Sequence, residues 1–465
     1  MSSLRSKLAR LGSIGPTQRE AVPVVPQLEE QIAPDGPGPS AEPPGRAQVV
    51  ASLRQAIARI MARGAPPPPA PADPSAGELP FAAVETDKGT LYVRHVRFEP
   101  QHRVGKFPVG AARRADATML SLLALDPALS PLAPGRALYL DTETTGLSGG
   151  TGTLPFLIGL GFFDDAGQFV VEQLLLRRPG EEAPMLERVT ERLAASSMLI
   201  TFNGKAFDMP LVRTRFVMNR LPQPAPREHL DLLHVARRVH RARIGKCSLG
   251  AVENRVLGFG RVDDIPSGEV SARYAHFLRT GDESALVAVV EHNTWDVVAM
   301  AAIVGLYGEP RDGLDAEDLA QAAATLQRAR AGERAAEMAD EAVERGGGAS
   351  ALRARAMIAK ARGDRDRALA DFEALVGELD DPAARLELAK LYEHYCKEPR
   401  AALDMVELGV AEDAHAVSRR KQRLQSKIER SRAKGAPATG DEGQGSLPGM
   451  ALVAARAPRR SRRRV

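Results

Sequence analysis

The chain is expected to fold as an α/β domain, a mixed sheet flanked by helices, followed by an all-helical repeat domain. Three observations carry this expectation. Between Arg136 and Phe202 short apolar runs alternate with amphipathic ones, so strands precede helices after an opening antiparallel run. From about Asp315 the sequence becomes Ala-rich and helical in period. Both ends are Pro/Gly-rich or basic and of low complexity. A chain of 465 residues exceeds one compact core. It divides at 1–80, 81–312, 313–412 and 413–465.

Taken in order, QIAPDGPGPSAEPPGR and GAPPPPAPADPSAGELP cannot bury a core, so residues 1–80 are expected to be mostly disordered. Between them Ala47–Arg63 has helical spacing and reads as a short amphipathic helix. Gly89–Phe98 alternates like a strand and Ala117–Leu125 reads as a helix. Strands are expected at Arg136–Asp141, Leu154–Phe163 and Phe169–Leu176, with a hairpin turn at Asp164–Gly167. A helix at Glu181–Ala195, a strand at Met198–Phe202 and a helix from about Ala206 follow.

Further on, GDRDRALADFEAL and KEPRAALDMVEL align Ala368-Leu369 with Ala402-Leu403, a shift of 34 residues, and Ala335 falls 33 before Ala368. That period is the tetratricopeptide one, with its large-residue positions only partly filled. A plain helical bundle is the competing reading. Past Glu412 a basic helix leads through a Gly/Pro linker to APRRSRRRV, the expected disordered basic tail, and both resemble flexible nucleic-acid-binding arms.

Hydrophobic residues make up 44% and charged residues 26%, ordinary for a soluble globular chain. Residues 416–465 hold 14 Lys+Arg and 3 Asp+Glu, a net of +11; with +4 overall, residues 1–415 carry −7. A basic tail on an acidic body suits a polyanion partner, or serves as a solvated tail. The two cysteines, Cys247 and Cys396, fall in different predicted domains, which argues against a disulfide framework or a cysteine zinc site. MSSLRSKLARLGSIG lacks a signal-peptide core, and Leu154–Phe163 is too short to span a bilayer. A cytoplasmic protein without membrane contact is expected.

Four acids in three separated segments carry the chemistry. Asp141 and Glu143 end a strand in ALYLDTETTGL; at i and i+2 they face one side, where two carboxylates repel unless a cation lies between them. Asp208 opens a helix in LITFNGKAFDMP, where the helix dipole favours its charge; a simple helix cap is the alternative. Asp296 lies in the apolar helix of EHNTWDVVAM, one turn after His292. A buried Asp there needs a metal or an Arg, and the His could accept a proton from water; a His–Asp contact that merely steadies the helix is the alternative.

These segments resemble the motifs of the DEDD family of 3′–5′ exonucleases, which have a ribonuclease H-like fold. The wording DTETTGLSGG, TFNGKAFDMP, SLGAVENRVLGF, DDIPSGEV and EHNTWDVVAM resembles more closely the YprB-type ribonuclease H-like proteins, in which tetratricopeptide-like repeats follow the nuclease-like domain. The resemblance implies two Mg²⁺ or Mn²⁺ ions held by Asp141, Glu143, Asp208 and Asp296, one activating water and the other stabilising the leaving 3′ oxygen. In that family the residue before the last Asp is a Tyr at four residues or a His at five; here His292 stands at four. It is therefore either the general base or a residue that positions the water.

Thr144, Asn203 and Lys246 are candidate substrate contacts. Asn203 either meets the terminal nucleotide or ties strand to helix. Lys246 lies before SLGAVE, read as an anion-attracting helix start. Asp231 reads as a helix cap rather than a ligand. Arg237, Arg238, Arg241 and Arg243 form either a solvated face or a substrate track, and Trp295 either stacks a base or fills the core. The function implied is metal-dependent 3′–5′ exonuclease action on nucleic acid, with a single-stranded 3′ end favoured and a protein partner possible through the repeats. The alternative is a weak or inactive nuclease-fold platform for nucleic-acid or protein partners.

Overall fold

The computed structural model describes residues 79–146, 152–262 and 264–435. The Ala47–Arg63 helix, the Pro/Gly-rich N-terminal segment up to residue 78 and the terminal APRRSRRRV lie outside these residues. The expected mixed sheet with helices packed on it forms. Its strands are β1 (Ala82–Thr86), β2 (Gly89–Phe98), β5 (Leu138–Thr144), β6 (Pro155–Phe163), β7 (Phe169–Leu175), β8 (Leu199–Thr201) and β9 (His229–Asp231). A separate two-stranded ribbon, β3 (Arg103–Val104) with β4 (Phe107–Pro108), sits between β2 and the first helix in sequence. The sheet order is β1-β2-β7-β6-β5-β8-β9. The pairs from β1 to β5 are antiparallel, and β5-β8 and β8-β9 are parallel.

The longer helices are α1 (Ala117–Ala124), α2 (Ala183–Ala195), α3 (Asp208–Met218), α4 (Leu232–Ile244), α5 (Ser267–Thr280) and α6 (Val287–Gly308). Seven more follow: α7 (Ala316–Arg328), α8 (Gly332–Glu344), α9 (Gly348–Arg362), α10 (Arg365–Glu378), α11 (Pro382–Leu391), α12 (Pro399–Glu407) and α13 (Ala414–Gly435). One core, with Tyr139, Ile200, Val239, Ile303 and Leu319, covers one sheet face. A second, with Leu138, Leu140, Leu174, Val189 and Phe216, covers the other. A strand covered on both sides reads as a continuous apolar run, which is why PFLIGLGFF does not alternate.

Element ends differ from expectation for local reasons. β5 starts at Leu138 because Pro134–Arg136 forms a 3-10 turn, and it reaches Thr144 through a bulge at Glu143/Thr144. β8 stops at Thr201 because Asn203 takes the left-handed conformation, φ 70°, two residues later. Gly204 must follow, since a Cβ there would lie 2.5 Å from the Thr201 side chain. Helix α6 approaches the sheet over Gly159 and Gly161: at Gly161 a Cβ would meet Val297 at 2.6 Å, and at Gly159 it would run into the Asn293 amide. These glycines, on one face of β6, let α6 lie directly against β5 and β6.

The basic helix expected as a flexible arm is a docked element over Ala414–Gly435. Its Leu424 is buried with Leu403 and Val406 of α12. Three of its cations, Arg420, Arg423 and Lys427, surround the buried carboxylate of Glu393. An uncompensated buried charge is costly, so Glu393 draws that face inward.

Candidate metal and nucleic-acid site

Asp141 and Glu143 project from the end of β5 on the α6 side of the sheet. Gly159 stands opposite Asp141 and Leu157 opposite Glu143 across the β5–β6 ladder. Glu143 is buried and Asp141 partly so. From α6, Asn293 donates through Nδ2 to Asp141 Oδ2 at 2.9 Å. Asn293 Oδ1 accepts from Gln173 Nε2 at 2.9 Å, and Gln173 Oε1 accepts from Arg94 Nη1 at 2.8 Å. A relay from Arg94 through two buried amides therefore fixes the Asp141 carboxylate.

Asp208 is the first residue of α3 and is buried. Thr142, between the two acids on β5, donates its hydroxyl to Asp208 Oδ1 at 2.5 Å. The loop before α3 is held by Asp231, whose carboxylate accepts from Asn203 N at 2.8 Å, Lys205 N at 3.0 Å and Leu233 N at 3.1 Å. Asp231 thus caps α4 and anchors the loop carrying Asp208.

His292 and Asp296 share the face of α6 toward β5. His292 Nε2 lies 3.9 Å from Glu143 Oε1 and 3.6 Å from Asp296 Oδ2. Its other nitrogen, Nδ1, meets Asp264 Oδ1 at 2.5 Å, which turns Nε2 toward the carboxylates. Asp296 is also paired with Arg261, which donates to Glu253 Oε1 at 2.5 Å and to the His292 carbonyl at 3.3 Å.

The electrostatics record the convergence. Burial, then Asp296, Asp208 and Glu143, raises the Asp141 pKa well above the usual carboxylate range, against the Asn293 bond. Burial raises Glu143 to about 7 although His292 opposes it, and raises Asp208 to about 6 although the Thr142 bond opposes it. Burial would lower His292, but Asp296, the Asp264 bond and Glu143 outweigh it and raise its pKa. Arg261 and His292 offset only part of this negative charge, and protons are held where acids outnumber cations, the environment that a divalent cation relieves. Ligand atoms of Glu143, His292 and Asp296 lie within 4.8 Å of one another, a group able to hold a metal ion. The oxygen-rich donor set fits a hard cation.

The candidate substrate residues fall in different places. Thr144 is buried and donates to the Gly146 carbonyl at 2.9 Å. Asn203 keeps its backbone in the anchored loop while its side chain is exposed. Lys246 is exposed beyond the end of α4 and outside the carboxylate cluster. Trp295 is half-buried against Phe259 at 5.3 Å and Phe98 at 6.0 Å, an aromatic cluster beside Asp296.

Residues 138–307 match the model of the ribonuclease H superfamily. They are a ribonuclease H-like domain. Among curated proteins, an uncharacterized protein, YprB, of Bacillus subtilis (strain 168) is 34% identical over 216 residues, which is 45% of this chain and 51% of that protein. The chain thus spans about half the length of that relative. Among solved structures, a family B DNA polymerase from the hyperthermophilic archaeon Pyrobaculum calidifontis is similar at 15% identity, over 45% of this chain and 29% of its own, with a TM-score of 0.28.

The ribonuclease H-like domain also uses residues that motif reading passes over. Gln173 and Asn293 had a signal: each is an amide in a largely apolar, largely buried element, which demands partners. Glu253 and Asp264 lie in two segments that carry the resemblance, SLGAVENRVLGF and DDIPSGEV, which gave them no role of their own, and Arg261 between them had no signal, because the chain returns to the site there along a path set by tertiary packing.

Proposed function

We propose that the ribonuclease H-like domain is a metal-dependent nuclease that removes nucleotides from the 3′ end of a single strand. The observation that carries this reading is that Glu143, Asp208 and Asp296, from three separated segments, all lie close enough to Asp141 to act on its charge, and that the pKa values of Asp141, Glu143 and Asp208 are raised. Arg261 answers the charge of Asp296, but Asp141, Glu143 and Asp208 crowded beside it cost stability unless they serve a further cation. In this reading the four acids hold two Mg²⁺ or Mn²⁺ ions. When bound, such ions supply an activated water and charge stabilisation at both oxygens of the phosphodiester displacement.

The chain's own residues do the rest. Asn293 and Thr142 hold two of the carboxylates in register. Asp264 holds Nδ1 of His292, leaving Nε2 to accept the proton of the attacking water. The exposed Asn203 amide faces the entering nucleotide, and Thr144 steadies the turn after β5. The helical hairpins after α6, with helices starting at 332, 365 and 399 and with Ala335, Ala368 and Ala402 fully buried, are tetratricopeptide-like in this reading and offer a surface to a protein partner.

The test uses 3′-labelled and 5′-labelled single-stranded DNA and RNA in Mn²⁺, comparing the wild type with the Asp141→Asn/Glu143→Gln variant. Shortening from the 3′ end, absent in the variant, is expected. Unchanged substrates with binding retained would replace this reading by a nucleic-acid or protein platform.

A further inference from the structure

Helix α4 presents a row of cations with no internal use. From Leu232 to Val252 the chain holds five Lys/Arg residues and no Asp or Glu, although residues 1–415 carry a net −7. Two of the five are spent inside the protein. Arg238 donates to the Leu123 carbonyl at 3.3 Å, and Arg243 pairs with Asp318 and with Asp315. Arg237 and Arg241 are exposed, and neither side chain has a hydrogen bond or an ion pair among the described residues. The opposite side of α4, with Val235, Ala236, Val239 and His240, is buried, so the helix cannot turn this face inward.

The row continues toward the site. His234, one turn before Arg237 and Arg238, is exposed on the same helix. Lys205 and Arg213, also exposed and without ion pairs among the described residues, lie close enough that, with His234, they add to burial in lowering the His229 pKa to about 4, against Asp231. Lys205 sits in the loop that Asp231 anchors ahead of Asp208.

The far end of α4 is tied down as well. Arg255 donates to the Ile244 carbonyl at 2.9 Å, and Arg243 to the Arg255 carbonyl at 3.3 Å. Arg255 belongs to the turn that supplies Glu253 to Arg261. The exposed face of α4 therefore spans the interval between the loop carrying Asp208 and the turn carrying Glu253.

We infer that Lys205, Arg213, His234, Arg237 and Arg241 form the docking track for the phosphodiester backbone of the strand whose end enters the carboxylate cluster. Arg237 and Arg241 lie about 6 Å apart along the helix axis, so both reach one backbone. The contact is to phosphate and is independent of base sequence. From the preceding reading it takes only that the ligand is a nucleic acid.

The experiment is fluorescence anisotropy with a labelled oligo-dT strand and the full chain carrying Asp141→Asn, in EDTA, over a series of KCl concentrations. Each phosphate neutralised on a single strand contributes about −0.7 to the slope of log affinity against log salt. The Arg237→Glu/Arg241→Glu variant is expected to flatten the slope by about 1.4 for two contacts and to weaken binding at moderate salt by roughly tenfold or more. An unchanged thermal melt checks its fold. Arg419→Glu/Arg430→Glu, two exposed cations on α13, is expected to leave slope and affinity unchanged.

A wild-type slope and affinity in the α4 variant overturn the track. So does an equal loss in the α13 variant, and so does a wild-type chain that shows no salt-dependent binding. The nuclease reading fails separately: the α4 effect on binding would stand while Mn²⁺ produced no cleavage that Asp141→Asn abolishes.

Discussion

If the chain is a nuclease as proposed, Asp141 is where activity and stability pull in opposite directions. Its carboxylate, with Glu143 and Asp208, has a pKa raised in the fold above the value near 4 of an unfolded chain. Between those values the folded protein binds more protons than the unfolded one, so stability falls as pH rises. For Glu143 and Asp208 that window runs from about pH 4 to about 7 and 6. In EDTA the wild type is therefore expected to melt at a lower temperature at pH 8 than at pH 5. Asp141→Asn removes one charge while keeping an acceptor for Asn293. It should melt above the wild type at pH 8 by a few degrees, roughly what 1 kcal/mol yields in a domain of this size, while losing cleavage by about a hundredfold or more. Thermal scans at the two pH values check the first part, and a variant that melts lower at pH 8 refutes it. The four acids and His292 stand out in the sequence because each ends a strand, opens a helix or interrupts an apolar helix, where a charge needs a reason. The Arg94–Gln173–Asn293 relay was only half legible: buried amides announce that they need partners, and spacing along the chain says nothing about which ones.

Among the elements, α13 shows how a charge pattern can mislead. A run of cations suggests a solvated arm, yet Arg423 Nη2 lies 2.7 Å from Glu393 Oε2, and Lys427 Nζ lies 2.7 Å from Oε1. Burial would raise the Glu393 pKa, but Arg423 and Lys427 outweigh it and bring it down to about 2. A carboxylate with a lowered folded pKa stabilises fully above its unfolded pKa, near 4, and that support is lost as pH falls through about 2. Hydrogen-exchange protection of residues 414–435, corrected for intrinsic rates, is expected to be high at pH 7 and to collapse toward pH 2. Glu393→Gln should lower protection at pH 7 roughly tenfold or more, as loss of hydrogen bonds to a charged group does, and should flatten the pH dependence. Equal protection in both proteins at both pH values would mean that Leu424 and its apolar neighbours hold the helix alone. The strands from β5 to β7 were legible because their apolar runs have no other use. The bulge in β5 and the left-handed Asn203 were not, since each answers to what packs above it.

Across the whole molecule, the residue-312 boundary suggested by composition is a boundary of pattern rather than of packing. Leu319, Ala320, Ala323 and Leu326 of α7 share one core with Val235 and Val239 of α4 and with Ile303 and Tyr307 of α6. That core extends to Ala354 and Ile358 of α9 before a new cluster takes over in α10 and α11. A polar contact crosses the same seam: buried Asp318 receives Arg243 Nε at 2.9 Å and lies 2.9 Å from His240 Nδ1. Removing α7 would expose the apolar face of α4 and leave Arg243 and buried His240 without their carboxylate, a combination that costs several kcal/mol. A chain ending at residue 312 is therefore expected to aggregate or to melt without a cooperative transition. A chain ending at residue 364, which keeps every residue of that core, should stay monomeric and melt in one step. Size-exclusion chromatography with thermal melting distinguishes the two. A shorter chain that proves monomeric and melts like the longer one would show that the first helices after α6 are a separable module, and that the carboxylate cluster stands without their support.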